Sequence, residues 1–221
     1  MGKRIVIVSG GKLEEDFVLA TLNEPESNCV IGVDKGIEFL YHHQIIPNYL
    51  VGDFDSIDAE VFQYYREETG VPIREYNPVK DASDTEIAIR LALTLGCKEL
   101  LIFGATGGRL DHLWGNVQCL SIPLKAGVDA RILDRQNEIR LIDHPIVLKK
   151  EEAYGPYFSV FSLGSEVPGL EISGAKYPLR NHLLTPYDSL CVSNQFDGDE
   201  VAISFRDGIV ILMETRDKPE Q

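Results

Sequence analysis

One feature limits what this chain can fold into more than any other: strand-like and helix-like segments alternate through its first 125 residues. Apolar runs at 5–8, 29–33, 49–51 and 100–103 are short, and glycine or aspartate follows them closely. Runs of that length and flanking suit strands buried on both faces of a parallel sheet. Helical patterns lie between and after them at 37–42, 59–68, 84–95 and 110–125. Strand followed by helix, repeated, predicts a parallel sheet with helices on both faces.

The pattern changes near residue 135. Runs at 139–142, 146–148, 157–163 and 190–192 are β-branched or aromatic and separated by turn residues, and no helical pattern follows Lys125. The pair 201–205 and 209–213 brackets Arg206-Asp207-Gly208, a hairpin signal. The reading is an α/β domain over 1–138 and a small antiparallel β domain over 139–221, a division that 221 residues allow.

Charge decides what these domains can meet. With 35 acidic against 21 basic residues the formal net charge is −14, which repels nucleic acid in the absence of a basic patch, and none is visible. The same charge opposes free nucleotides, so a nucleotide substrate should arrive with a divalent cation. The start, Met1-Gly2-Lys3-Arg4 leading directly into Ile5, has too short an apolar run for a signal peptide, and nothing reads as a membrane span. Cys29, Cys97, Cys119 and Cys191 have neither zinc nor redox spacing, and four buried reduced thiols in a cytoplasmic protein are expected.

Chemistry concentrates where strands end. In Gly52-Asp53-Phe54-Asp55-Ser56 the two carboxylates would face the same way if the backbone is extended, an arrangement suited to Mg²⁺; alternatively Asp55 or Ser56 caps the next helix. Lys80-Asp81-Ala82-Ser83-Asp84-Thr85-Glu86 opens a helix, with Ser83 and Glu86 spaced as a capping box and Asp84 in the first turn. Gly104-Ala105-Thr106-Gly107-Gly108-Arg109 lies between a strand and a helix, where bare backbone amides and a helix N-terminus receive phosphate and Arg109 can grip it. The loop lacks the ending of a Walker A motif and the spacing of a dinucleotide fingerprint, and a purely structural glycine turn is its other reading. His112 and Asn116 lie four apart on one predicted helical face near Arg109, and Asp34, in Gly32-Val33-Asp34-Lys35-Gly36, either binds nucleotide or caps a helix. Trp114 is expected to pack within its helix. All these loops follow strands, and a parallel sheet gathers such loops at the edge where ligands bind.

The ordered set resembles the bacterial thiamine pyrophosphokinase family. It runs through Asp34-Lys35-Gly36, Gly52 to Ser56, Lys80-Asp81 with Ser83 to Glu86, Thr106 to Arg109 with Asp111, His112 and Asn116, then Lys176-Tyr177-Pro178-Leu179 and Ser193-Asn194. The family usually reads Ala-Asp-Gly-Gly in the first motif; here Val33 precedes Asp34 and Lys35 replaces a glycine. The resemblance implies a Rossmann-like parallel sheet domain followed by a β-sandwich, a homodimer, Mg²⁺ dependence, and conversion of ATP and thiamine to AMP and thiamine diphosphate. It implies Asp53, Asp55 and Asp84 as metal and diphosphate organisers, with Arg109 and Asp111 also catalytic. It further implies Asp34, Lys80, Asp81, Thr106, Gly107, Gly108, Arg109, His112 and Asn116 at ATP, and Ser83, Tyr177, Ser193 and Asn194 at thiamine. Another Mg²⁺-dependent phosphotransferase, or a metabolite-binding module without turnover, remains an alternative reading.

Overall fold

The structure, a computed structural model, describes residues 3–24, 29–55, 57–75 and 82–218. It divides into two units, 1–135 and 136–221.

The first unit is built on strands apolar on both faces. Strand β1 (Lys3–Val8) carries Ile5, Val6, Ile7 and Val8 with no solvent exposure, which places it in the sheet centre. Helix α1 (Glu15–Leu22) leads to β2 (Cys29–Val33), α2 (Gly36–His42), β3 (Tyr49–Gly52), α3 (Ala59–Tyr64) and a π-helical turn, Tyr65–Thr69. Then follow β4 (Ile73–Glu75), α4 (Asp84–Thr94), β5 (Cys97–Phe103), α5 (Leu110–Cys119), α6 (Ser121–Lys125) and β6 (Asp129–Leu133). The strand order is β6-β5-β1-β2-β3-β4, and every described pairing among these strands is parallel. After β1 the chain builds outward through β2, β3 and β4, then returns to the other side of β1 as β5. The order therefore reverses between β1 and β5, where open α/β sheets leave a crevice outside the strand ends.

Some details depart from the sequence reading. Strands β4 and β6 and helix α1 were not anticipated. The continuous helix expected over 110–125 splits at Leu120, because Pro123 has no N–H to offer the carbonyl of Cys119.

The second unit contains β7 (Asn137–Ile142), β8 (Ile146–Lys149), β9 (Tyr157–Ser162), β10 (Val167–Ser173), β11 (Leu179–Leu184), β12 (Asn194–Gln195), β13 (Glu200–Ser204) and β14 (Val210–Thr215). Antiparallel pairings join β12-β9-β14-β7 in one layer and β11-β10-β13-β8 in the other. Phe158, Val160, Val210 and Leu212 from the first layer pack with Leu170, Ile172, Val201 and Ile203 from the second, which makes the unit a sandwich.

Two expectations fail here for physical reasons. The strands flanking Arg206-Asp207-Gly208 form no hairpin: β13 pairs with β10 and β8, whereas β14 pairs with β7 and β9. Gly208, at φ 103°, turns the chain from one layer to the other, so the Asp-Gly signal marked a corner. The run 190–192 is a turn, with Leu190 and Val192 exposed and only Cys191 buried, and the strand beyond it is β12.

Candidate functional site

The crevice at the reversal is lined by the loops that follow β1 and β5. They are locked together: Ser9 N–H donates to the Phe103 carbonyl and Gly11 N–H to the Gly104 carbonyl, both at 2.8 Å. A β-carbon at Gly104 would stand 2.2 Å from the Ser9 carbonyl oxygen, and its φ of 68° is itself left-handed, so only glycine fits. Gly108 differs in kind. Its φ is 88°, yet among the described residues nothing lies within 4 Å of its missing side chain, so that face of the loop is open to a ligand.

The rest of this loop is tied down from beneath. Buried Asn116 donates from Nδ2 to the Ala105 carbonyl at 3.1 Å, and Thr106 Oγ1 donates to Asp134 Oδ2 at 2.6 Å. Asn116 thus supports the loop, while His112, one turn earlier on the same helix, is exposed. Helix α5 begins without a side-chain cap from Arg109; His112 N–H is taken by Asp111 Oδ1 at 3.0 Å, which leaves the Leu110 and Asp111 amides beside Gly108 and Arg109. Arg109 is held by Asp111 through Nε to Oδ1 at 3.1 Å and Nη2 to Oδ2 at 2.5 Å. That guanidinium pulls the Asp111 carboxyl down to about 2, helped by the His112 N–H, and Asp111 in turn raises the pKa of Arg109. The pair is solvent-exposed and so easily exchanged, and an arriving phosphate competes with Asp111 for the same fork. Trp114 is 51% exposed, contrary to expectation, because α5 turns Asn116 and Val117 inward instead.

Beside this crevice the loop after β3 carries Asp53 and Asp55. The alternation expected to aim both carboxylates one way is interrupted: β3 ends at Gly52, and Phe54 adopts φ 59°. A left-handed aromatic residue costs about 1–3 kcal/mol. Burial of Phe54 and its stacking on Phe62, with centroids 4.8 Å apart, hold it there. The two aspartates remain neighbours through a turn in which Asp55 N–H donates to Asp53 Oδ1 at 3.4 Å. The cap of α3 is Asp58, whose Oδ1 accepts from Glu60 N–H at 2.8 Å, so Asp55 does not serve as that cap. Asp34, also left-handed at φ 48°, places Oδ1 2.9 Å from where a β-carbon on Gly52 would stand. Lys35 is exposed.

Helix α4 brings the third acidic element. Ser83 Oγ caps it by accepting from Glu86 N–H at 3.2 Å, but Glu86 reaches forward to Arg90 at 2.8 Å, so its carboxylate is engaged away from the reciprocal arm of a capping box. Asp84 is half-buried in the first turn, and its neighbour Thr85 shares a 3.1 Å hydrogen bond with Ser9, which joins α4 to the loop after β1. Ser56, Lys80 and Asp81 lie outside the described residues. Among the described residues no group of three or more His, Cys, Asp or Glu side chains is gathered as a metal cage.

In the second unit, Asn194 is buried and clamps Tyr177: its Oδ1 accepts from Tyr177 N–H at 3.0 Å and its Nδ2 donates to the Tyr177 carbonyl at 2.8 Å. The Tyr177 ring is 58% exposed, and Ser193, at φ 56°, lies next to Asn194 with its N–H on Ser159 Oγ. Of the residues expected at thiamine, the unit gathers Tyr177, Ser193 and Asn194, with Asn194 acting on Tyr177. Ser83 belongs to the first unit.

The sequence reading overlooked Ser9-Gly10-Gly11-Lys12 and Asp134. A glycine pair directly after the first apolar strand was the available signal for the former; Asp134 gave none. All four cysteines are free; Cys119 is only partly buried.

Known proteins share this arrangement. The family described as thiamin pyrophosphokinase, catalytic domain, matches residues 22–132, and the thiamin pyrophosphokinase vitamin B1 binding domain matches 143–210. A thiamine pyrophosphokinase of Bacillus subtilis is 34% identical over 218 residues, 97% of this chain and 100% of that protein. The crystal structure of thiamine pyrophosphokinase from Bacillus subtilis superposes with a TM-score of 0.87 at 32% identity, covering 98% of this chain and 100% of that one. That of thiamin pyrophosphokinase from Geobacillus thermodenitrificans gives 0.83 at 32%, covering 97% and 98%. With both domain types matched in order and full-length relatives above 30% identity, the chain belongs to the thiamin pyrophosphokinase family.

Proposed function

We propose that this chain transfers the diphosphate of ATP to the hydroxyl of thiamine, releasing AMP and thiamine diphosphate. The observation that carries the reading, within the family assignment, is the open face of Gly108 beside the uncapped start of α5 at the sheet's reversal point. Backbone amides there can surround a phosphate, and Arg109 can leave Asp111 to hold the charge that builds as the bond to AMP breaks. Thr106, Gly107, Gly108, Arg109 and His112 would meet the ATP phosphates, with Asn116 keeping the loop in shape. Asp34, Lys80 and Asp81 complete the nucleotide assignment.

The donor set fits Mg²⁺. Asp53 and Asp55, in one turn where Asp55 N–H meets Asp53 Oδ1, supply hard carboxylate oxygens, and Asp84 would supply another from α4; one or two such ligands suffice when phosphate and water complete the octahedron. Bound there, Mg²⁺ would offset phosphate charge and orient the diphosphate. The carboxylates themselves repel a second anion, which favours entry of the metal-bound nucleotide over the free one. We assign residues 1–138 to ATP and metal, and residues 139–221 to thiamine through Tyr177, Ser193 and Asn194, with Ser83 contributed by the first domain. The reading includes a cytoplasmic homodimer whose thiamine pocket is completed across the two copies. Among the described residues no helix is long and apolar enough to cross a membrane.

Incubation of the purified chain with ATP, Mg²⁺ and thiamine, followed by chromatography, tests this. Equal amounts of AMP and thiamine diphosphate are expected. ADP in place of AMP would indicate a single-phosphate transferase, and binding of thiamine without turnover a binding module.

A further inference from the structure

The second unit contains a cavity of about 610 Å³ that the proposed reaction does not use. Among the described residues its lining is Lys150, Ala153, Tyr154, Gly155, Pro156, Gln195, Phe196 and Arg216, none of them a carboxylate. In a chain with 35 acidic residues that composition is unusual. Among the described residues neither Lys150 nor Arg216 makes an ion pair, although carboxylates outnumber cations overall.

Arg216 and Gln195 are restrained before any ligand arrives. The Arg216 guanidinium lies over the Tyr154 ring, 4.6 Å from its centroid, and the Arg216 backbone N–H donates to the Gln136 carbonyl at 2.9 Å. That contact restrains the guanidinium on the ring face, and a guanidinium so placed keeps its N–H donors for an anion. The loop bearing Tyr154 is pinned to the end of β14: Tyr154 N–H donates to Glu214 Oε1 at 3.3 Å, and Gly155 packs directly on the Thr215 carbonyl. Gln195 Oε1 is taken by Lys176 Nζ at 3.1 Å, so its amide nitrogen is the part left to the cavity. The wall thus offers an ammonium, a guanidinium and an amide N–H₂ group, all donors, with the rings of Tyr154 and Phe196 alongside. Glu151, Asp199 and Glu200 border the neighbouring depression, which Lys150 also lines.

We propose that this cavity binds a phosphorylated small molecule, with Lys150 and Arg216 on its phosphate oxygens and Gln195 as an added donor. The planar fork of Arg216 matches two phosphate oxygens, and the volume lies in the range that holds a ring or short chain attached to the phosphate. None of the lining residues belongs to the assigned ATP and thiamine contacts, so this is a second anion site, although it adjoins the thiamine residues through Gln195, whose backbone N–H donates to Asn194 Oδ1 at 2.9 Å.

The test is isothermal titration of the full chain with inorganic pyrophosphate, without divalent metal, in an Arg109→Met background that weakens the phosphate loop. Saturable binding is expected, weakened at least about tenfold when Lys150→Met and Arg216→Met are added. Arg216→Lys, which keeps the charge and loses the fork, should fall between the two. Circular dichroism and the thermal midpoint of each variant establish that it is folded. Absence of binding in the Arg109→Met background, or equal binding after Lys150→Met and Arg216→Met, overturns the proposal. So does a change in sedimentation from dimer to monomer in those variants without any pyrophosphate effect, since the cavity would then be a contact between copies.

Discussion

Replacement of Gly104 and of Gly108 by alanine should separate the structural from the functional duty of one loop. At Gly104 the new methyl would lie 2.2 Å from the Ser9 carbonyl oxygen, so one backbone must move by about 1 Å to reach ordinary contact. That movement breaks the bonds from Ser9 to Phe103 and from Gly11 to Gly104, at about 1 kcal/mol each. The left-handed φ of 68° adds about 1 kcal/mol for any residue with a β-carbon. The sum is about 3 kcal/mol, or about 10 °C in the melting midpoint for a unit of this size. At Gly108 only the conformational contribution remains, since no atom of the described residues lies within 4 Å, and the midpoint should fall by about 4 °C. Its methyl would instead occupy the face offered to phosphate, and kcat/KM for ATP should fall about a hundredfold. Differential scanning calorimetry and steady-state kinetics on both variants check this. Unchanged stability in Gly104→Ala refutes the close-approach argument, and full activity in a folded Gly108→Ala refutes the phosphate cradle.

Other expectations follow from neighbouring residues. Asp55→Ala and Asp84→Ala should each lower turnover by orders of magnitude while the thermal midpoint moves little, because Asp58 caps α3 and Ser83 caps α4; near-normal Mg²⁺-dependent kcat in either variant would remove that residue from the mechanism. Asn194→Ala leaves both polar groups of the Tyr177 backbone without that partner, costing about 2–3 kcal/mol, and should raise KM for thiamine more than KM for ATP. Asp111 should titrate near 2 by NMR, because Arg109 hydrogen-bonds its carboxylate, and move back toward 3.8 in Arg109→Met. Burial raises the Cys97 and Cys191 thiols from 9.0 to about 11, so their contribution to stability is complete below pH 9 and is lost as pH rises toward 11. The urea midpoint should therefore drop over that interval by less in Cys97→Ala/Cys191→Ala than in the native chain.

The parallel sheet was legible because its strands are apolar on both faces and end in glycine or aspartate, as Ile5 to Val8 and the β2 segment show. Strand β4 was not, since Ile73-Arg74-Glu75 is three residues long and mostly polar, an edge strand that needs little burial. The Arg206-Asp207-Gly208 corner misled because a hairpin and a crossover between sandwich layers use the same turn residues; only the cross-strand partners tell them apart. In the site, the glycine loop and the carboxylates were visible as residue types, but their geometry was not. Period-two alternation assumed extended backbone at Asp53 to Asp55, whereas Phe54 turns left-handed to bury its ring on Phe62. The spacing of Asn116 to His112 and the family resemblance gave no sign that Asn116 is buried with its Nδ2 on the Ala105 carbonyl. The sequence shows spacing on an element, while the side of the element that faces the core is decided by tertiary packing.

The most direct test of the central claim follows the phosphorus atoms. ATP labelled at its β-phosphorus, turned over with thiamine and Mg²⁺, should deliver all transferred label to thiamine diphosphate and leave AMP unlabelled. Label retained in ADP, or released as free phosphate while thiamine stays unchanged, would contradict it.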